Sequence, residues 1–124
     1  MGFNATDTLI RAYEAVLADD WSTVTPLAKT LYASDPNNLE YLQLYGSCLI
    51  QKTNPNYTEA IRVFDHAIEI APESEQVSIG RFHCLMALGR RDDALLECRR
   101  YTHLGSWDGY KHFMPPYDEK DFRT

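Results

Sequence analysis

The apolar positions between residues 41 and 68 form two stripes with the three- and four-residue spacing of amphipathic helices. The first stripe consists of Tyr41, Leu42, Tyr45, Leu49 and Ile50. The second consists of Ala60, Ile61, Phe64, Ala67 and Ile68. A polar segment with Asn54, Pro55 and Asn56 separates the stripes, and such residues end helices and form turns. The pattern therefore predicts a helical hairpin.

Similar breaker segments enclose this hairpin on both sides. Residues 33–38 and 70–74 each join the end of an apolar run to a proline and then to polar residues that can cap a following helix. The two prolines, Pro36 and Pro72, are 36 positions apart. A capping box also fits Asn56 and Glu59, where the second helix of the hairpin begins. This spacing indicates a repeated unit.

The remaining sequence predicts two more hairpins. Four further helices are predicted, over residues 6–17, from Ser22 or Thr23 to about Ala33, over residues 75–88 and over residues 92–104. Pro26 falls in the first turn of the second of these, where its missing N–H costs least. Gly89 and Gly105 follow the last two helices, and we expect both to adopt the left-handed conformation that ends helices. The chain is thus predicted to be all-α, with six helices over residues 5–105.

The middle unit, residues 39–74, resembles the tetratricopeptide repeat family, whose repeat is a helix-turn-helix of 34 residues. The matching residues are Tyr45, Gly46, Tyr57, Glu59, Ala60, Ile61, Phe64, Ala67, Ile68 and Pro72, with two extra residues in the turn. In residues 5–38, Ala12 takes the glycine's place and Trp21 lies in the turn. In residues 75–105, Leu88, Gly89, Asp93, Ala94, Leu95 and Tyr101 match. The resemblance implies a right-handed superhelix of three hairpins.

The first helix of the third repeat fits the family pattern in two registers. When the turn is aligned on Gly89, Phe82 takes the position of the small residue. In the other register Gly80 takes it, since Gly80 precedes Ala94 by the same 14 residues that separate Gly46 from Ala60. The sequence leaves both registers open.

In this family the first helices of the hairpins line a concave groove that receives a peptide of a partner protein. The resemblance places nine residues of this chain there: Leu9, Tyr13, Val16, Gln43, Ser47, Ile50, Ile79, His83 and Met86. Another implied site is the clamp that grips the C-terminal carboxylate of chaperones. It requires lysine and arginine at positions where this chain has no basic residue, so we reject it. The resemblance implies an interaction module acting as an adaptor or as an assembly or secretion chaperone.

The segment 106–124 holds five of the fifteen aromatic residues of the chain. Ser106 can cap a short helix, which Pro115 and Pro116 must end. We expect this segment to cap the last hairpin, with docking into the groove or onto another protein as the alternatives. The residues predicted to dock are Trp107, Tyr110, Phe113 and Tyr117. Pairing of two chains through these aromatics, giving a homodimer, is a further alternative.

Composition and charge exclude several classes. The net charge is -6 and no basic cluster is present, so nucleic acid is not an expected partner. No apolar run reaches the roughly 20 residues needed to span a bilayer, and no signal peptide begins the chain, so we expect no membrane insertion and a cytoplasmic protein. Cys48, Cys84 and Cys98 lack the spacing of a zinc site and are expected to be buried apolar residues.

Catalytic motifs are absent from the sequence. Its four histidines are never three or four residues apart, and no nucleophile elbow or phosphate-binding glycine loop occurs. We therefore expect no enzyme activity, no metal and no cofactor. The competing hypothesis is a small-ligand or enzymatic site in the groove that uses Arg81, His83 and Cys84.

Overall fold

The computed structural model describes residues 2–51, 53–105 and 108–110, and this part of the chain contains six α-helices and no strand. The helices are α1 (Ala5–Leu17), α2 (Trp21–Ser34), α3 (Leu39–Leu49), α4 (Tyr57–Ile70), α5 (Glu75–Ala87) and α6 (Arg91–Thr102). Each helix packs against the next one in the chain, and α3 also contacts α5. The predicted all-α stack of hairpins is thereby confirmed.

Short polar side chains begin the first five helices. The side chains of Asn4, Asp20, Asn38, Asn56 and Ser74 accept hydrogen bonds from backbone N–H groups three residues further on. The half of the capping box in which Asn56 accepts from the N–H of Glu59 is present, at 3.2 Å. Five helix starts are thus determined by residues within one turn of them.

The start of α2 differs from the prediction. Asp20 is the cap, and its carboxylate also accepts the hydroxyls of Ser22 and Thr23, the two residues expected to cap. Trp21 is consequently the first residue of the helix rather than part of the turn. Pro26 lies inside the helix instead of in its first turn, and Ser22, whose carbonyl loses a backbone partner, is exposed to water.

The two glycines expected to end helices differ from each other. Gly89 has φ of +74°, as predicted, but Gly105 is not among the described residues with positive φ. Gly105 instead lies so close to the ring of Tyr101 that a side chain at this position would collide with it. Asp19 takes the left-handed conformation after α1, with φ of +55°. Close packing, rather than a helix cap, explains glycine at position 105.

Phe64 connects the second and third hairpins. Its ring lies between Gly46 of α3 and Gly80 of α5, and a side chain at either glycine would collide with it. Gly80 is thus the opposite wall of the Phe64 pocket and not the counterpart of Gly46. Phe82 is buried and turns its ring toward Tyr110. The register aligned on Gly89 therefore describes the third repeat.

Candidate functional site

A cavity of about 430 Å³ opens between α3 and α5. It is lined by Gln43, Ser47, Ile50, Phe64, Gln76, Ile79, Gly80 and His83. Its walls combine aliphatic and aromatic carbon with amide and hydroxyl groups. We call it the α3–α5 cavity, and its composition suits a neutral chain segment with apolar side chains.

A second cavity of about 210 Å³ lies between α1 and α3. It is lined by Tyr13, Val16, Trp21, Glu40, Gln43, Leu44, Ser47 and Gln76. We call it the Glu40 cavity. It shares Gln43, Ser47 and Gln76 with the α3–α5 cavity, so the two form one continuous surface along the first helices of the three hairpins, here called the groove.

Most of the residues that the resemblance assigned to the groove lie along it. Gln43, Ser47, Ile50, Ile79 and His83 line the α3–α5 cavity, and Tyr13, Val16, Gln43 and Ser47 line the Glu40 cavity. Met86 lines an adjoining cavity of about 540 Å³ together with Ile50 and His83. Leu9 lines none of these cavities and packs, partly buried, against the core.

Six residues that line the two cavities were not predicted from the sequence: Trp21, Glu40, Leu44, Phe64, Gln76 and Gly80. Glu40 and Gln76 each lie three residues before a predicted groove residue, so the helical spacing itself could have found them. Trp21 was missed because it was assigned to the turn. Phe64 was missed because it belongs to a second helix and reaches the groove only between two glycines.

Glu40 is an acidic group held against an aromatic one. The Tyr13 hydroxyl donates to Oε2 of Glu40 at 2.8 Å. Burial, followed by the hydrogen bond and the charge of Glu40, raises the pKa of Tyr13 to about 12. The hydroxyl therefore keeps its proton at neutral pH and orients the carboxylate. Neither groove cavity has a lysine or arginine among its described lining residues.

Trp21 joins the Glu40 cavity to more acidic surface. Its indole Nε1 donates to Oδ1 of Asp19 at 2.9 Å, which fixes the ring beside the turn. Trp21 also lines a cavity of about 570 Å³ that includes Asp19 and Asp20. The hydrogen bonds from Thr23 and Ser22 lower the pKa of Asp20, so its carboxylate is ionised at neutral pH. This end of the groove is therefore acidic and aromatic.

The three residues of the competing small-ligand hypothesis do not share a surface. His83 lines the groove, whereas Cys84 is fully buried. Burial raises the pKa of the Cys84 thiol to about 12, so it is protonated and a poor nucleophile. Arg81 forms ion pairs with Asp65 and Glu97. In the part of the chain that is described, no three His, Cys, Asp or Glu side chains are placed to hold a metal ion.

Tyr110 is the member of the predicted docking tail that the structure describes. Its side chain is fully buried, its ring meets Phe82 edge-on at 5.3 Å, and its hydroxyl lies 2.6 Å from that of Ser78. The ring of Tyr101 lies 5.9 Å away. Tyr110 thus covers the outer side of the third hairpin and is not available to pair two chains. Trp107, Phe113 and Tyr117 lie outside the described residues, as does most of the predicted short helix.

A buried ion-pair network lies beneath Tyr110. Glu97 is 3% exposed and accepts hydrogen bonds from the Ser78 hydroxyl at 2.6 Å and from Arg100 at 2.7 and 2.9 Å. Arg100 also donates to the carbonyl of Pro72 at 2.9 Å. Burial is the main reason that the pKa of Tyr110 is raised, which keeps its hydroxyl protonated. This network joins the turn between α4 and α5, both helices of the third hairpin and the C-terminal segment.

Hairpins that stack in chain order around one core, with a continuous groove on their first helices, define the class of helical repeat proteins that act as protein–protein interaction modules. A model of the tetratricopeptide repeat family matches residues 54–103. The resemblance drawn from the sequence motifs is thereby confirmed over residues 54–103, which contain α4, α5 and α6.

Solved structures of MamA share this fold. MamA AMB-1 superposes with a TM-score of 0.72 and 20% identity over 82% of this chain and 54% of that chain. A MamA mutant superposes with a TM-score of 0.73 and 19% identity over 83% of this chain and 74% of that chain. MamA MSR-1 superposes with a TM-score of 0.71 and 18% identity over 87% of this chain and 59% of that chain. The chain therefore spans about half the length of MamA AMB-1, and at these identities the likeness shows the fold alone.

A sequence search of curated proteins gave no significant match. None of the helices in the described ranges is both long and apolar enough to cross a membrane.

Proposed function

We propose that this chain is a non-catalytic interaction module, an adaptor or an assembly or secretion chaperone, that holds a peptide segment of a partner protein in the groove. The observation that carries the proposal is the continuity of the groove. The α3–α5 cavity and the Glu40 cavity share Gln43, Ser47 and Gln76, so one extended segment can occupy both.

The chemistry of the shared wall suits a peptide backbone. Gln43 and Gln76 present amide groups that both donate and accept, and Ser47 adds a hydroxyl. A peptide chain offers alternating N–H and C=O groups, which such side chains can pair without regard to sequence. The apolar surfaces of Ile50 and Ile79 then select the side chains that the segment places into the α3–α5 cavity.

The proposal is tested by filling the groove. Ser47 lines both cavities and is only partly buried, so Ser47→Trp places an indole where the peptide would lie. Thr58→Trp is the matched control, because Thr58 is exposed on α4 and lines neither groove cavity. Circular dichroism and urea unfolding establish that both variants are folded.

Tagged wild type and both variants are used for affinity capture from host lysate, followed by mass spectrometry. We expect a partner that the wild type and Thr58→Trp retain and that Ser47→Trp loses. The proposal is wrong if every captured protein is retained equally by the folded Ser47→Trp variant.

A further inference from the structure

We propose that the Glu40 cavity receives the lysine or arginine side chain of a bound peptide, so that the groove selects segments in which a basic residue lies beside an aliphatic one. This inference deepens the function proposed above and rests on it. The occupant is thus a partner segment of basic and aliphatic character, recognised by an acidic, aromatic-walled cavity.

The walls of the Glu40 cavity match the parts of a long cationic side chain. Tyr13 and Trp21 supply aromatic faces, which attract an ammonium or guanidinium group through the ring quadrupole. Val16 and Leu44 supply apolar surface for the methylene stem. The carboxylate of Glu40 supplies the opposite charge, held in place by the hydrogen bond from Tyr13.

The charge balance of the surroundings favours a cation over an anion. Glu40 forms no ion pair with any lysine or arginine in residues 2–51, 53–105 and 108–110. Asp19 and Asp20 lie on the other side of Trp21, in the adjoining cavity. The whole chain carries a net charge of -6. An acidic segment would therefore be repelled at this end of the groove, and a basic one attracted.

The preference for an aliphatic residue beside the basic one follows from the position of the two cavities next to each other. The Glu40 cavity and the α3–α5 cavity share three lining residues, so a peptide with its cation in the first has its neighbouring side chains over the second. There Ile50, Phe64 and Ile79 offer carbon surface and no formal charge. An aliphatic side chain buries apolar area at this position, whereas a charged one is desolvated without a partner.

A phage-displayed library of random peptides tests the preference, because selection from such a library requires no identified partner. The wild type, Glu40→Lys and the control Glu69→Lys are each used for selection. Glu69→Lys makes the same change of charge on α4, at a residue that lines neither groove cavity. We expect lysine and arginine to be enriched beside aliphatic residues for the wild type and for Glu69→Lys, and the enrichment to disappear for Glu40→Lys.

The strongest wild-type peptide is then synthesised, and its affinity is measured by fluorescence anisotropy. Glu40→Gln is expected to weaken binding about tenfold, Tyr13→Phe less, and added salt should reduce the affinity of the wild type more than that of Glu40→Gln. The inference is overturned if the selected peptides that bind the wild type but not Ser47→Trp show no enrichment of lysine and arginine. The proposed function then stands, because these peptides still bind in the groove. If no selected peptide depends on Ser47, both fail.

Discussion

The two ends of the array differ in how their terminal surfaces are covered. On the third hairpin, Tyr110 is fully buried above Ser78 and Glu97, which are 0% and 3% exposed. On α1, Ile10 and Leu17 remain 51% and 88% exposed. Burial at the C-terminal end thus comes from a segment that follows the last helix, while no described helix covers the outer side of α1.

The middle hairpin shows what a covered position looks like. Leu44 lies 34 residues after Ile10, at the same place in its repeat, and is 6% exposed because α2 packs against α3. The comparison teaches that the repeat pattern determines which side of a helix is apolar, whereas the neighbouring element determines whether that side is buried. A covering element must also form hydrogen bonds with the polar groups that it buries, as the Tyr110 hydroxyl does with the Ser78 hydroxyl.

At the C-terminal end, the largest predicted effect is that of removing the Tyr110 ring. Tyr110→Ala should lower the free energy of unfolding by about 3–5 kcal/mol, because a fully buried aromatic side chain is lost and a cavity remains. Tyr110→Phe keeps the ring and should cost only about 1 kcal/mol for the lost hydrogen bond. Urea unfolding of both variants measures the difference. A loss below about 1 kcal/mol for Tyr110→Ala would show that the C-terminal end does not depend on its cover.

The next largest loss of stability is expected when the ion pair between Glu97 and Arg100, beneath the Tyr110 ring, is broken. Glu97→Gln should cost about 2 kcal/mol, because Arg100 loses a charged partner to which it makes two hydrogen bonds. Asp93→Asn breaks the ion pair between Asp93 and Arg90, whose side chains are 47% and 50% exposed, respectively. This change should alter the free energy of unfolding by less than about 0.5 kcal/mol. Equal losses for the two variants, measured by chemical denaturation, would contradict the importance of burial here.

Alkaline pH should destabilise the third hairpin before the first. Burial raises the pKa of Cys84 and Cys98 from 9.0 to about 12, so the folded state holds their protons more tightly than the unfolded state. This stabilisation is complete below about pH 9 and is lost as the pH rises toward about 12, by about 1.4 kcal/mol per pH unit for each thiol. The first hairpin contains no cysteine, and its Tyr13, whose pKa is raised from 10.0 to about 12, starts to lose its stabilisation only above about pH 10.

Cys98→Ala tests this pH dependence. Its free energy of unfolding, measured under reducing conditions between about pH 9 and about pH 11, should fall by about 1.4 kcal/mol less per pH unit than that of the wild type. A slope identical to that of the wild type would mean that Cys98 is not protected from ionisation by burial.

The smallest effect is expected at the uncovered end. Ile10→Asp should change the free energy of unfolding by less than about 0.5 kcal/mol, because the side chain is half exposed and no described element covers it. Leu44→Asp is the matched variant at the equivalent covered position and should prevent stable folding. Should Ile10→Asp destabilise the purified protein strongly, the outer side of α1 is covered in solution.

Much of the fold could be predicted from short-range signals. Asn56 begins α4 and Gly89 terminates α5 because each acts on backbone groups a few residues away. The cap at Asp20 was not predicted, because Asp20, Ser22 and Thr23 lie close together in the chain and each can cap a helix. The reason for Gly105 could not be found this way. It depends on the orientation of the Tyr101 ring, which only packing determines.

The sequence by itself determined the six helices and the three hairpins, because helical spacing and caps are encoded within a few neighbouring positions. The tertiary structure decided the long-range pairs: Phe64 between two glycines, Tyr13 on Glu40 27 residues away, and Tyr110 on Ser78 32 residues away. Such pairs depend on how the hairpins stack, which is set by the fit of side chains across the whole core rather than by any single segment.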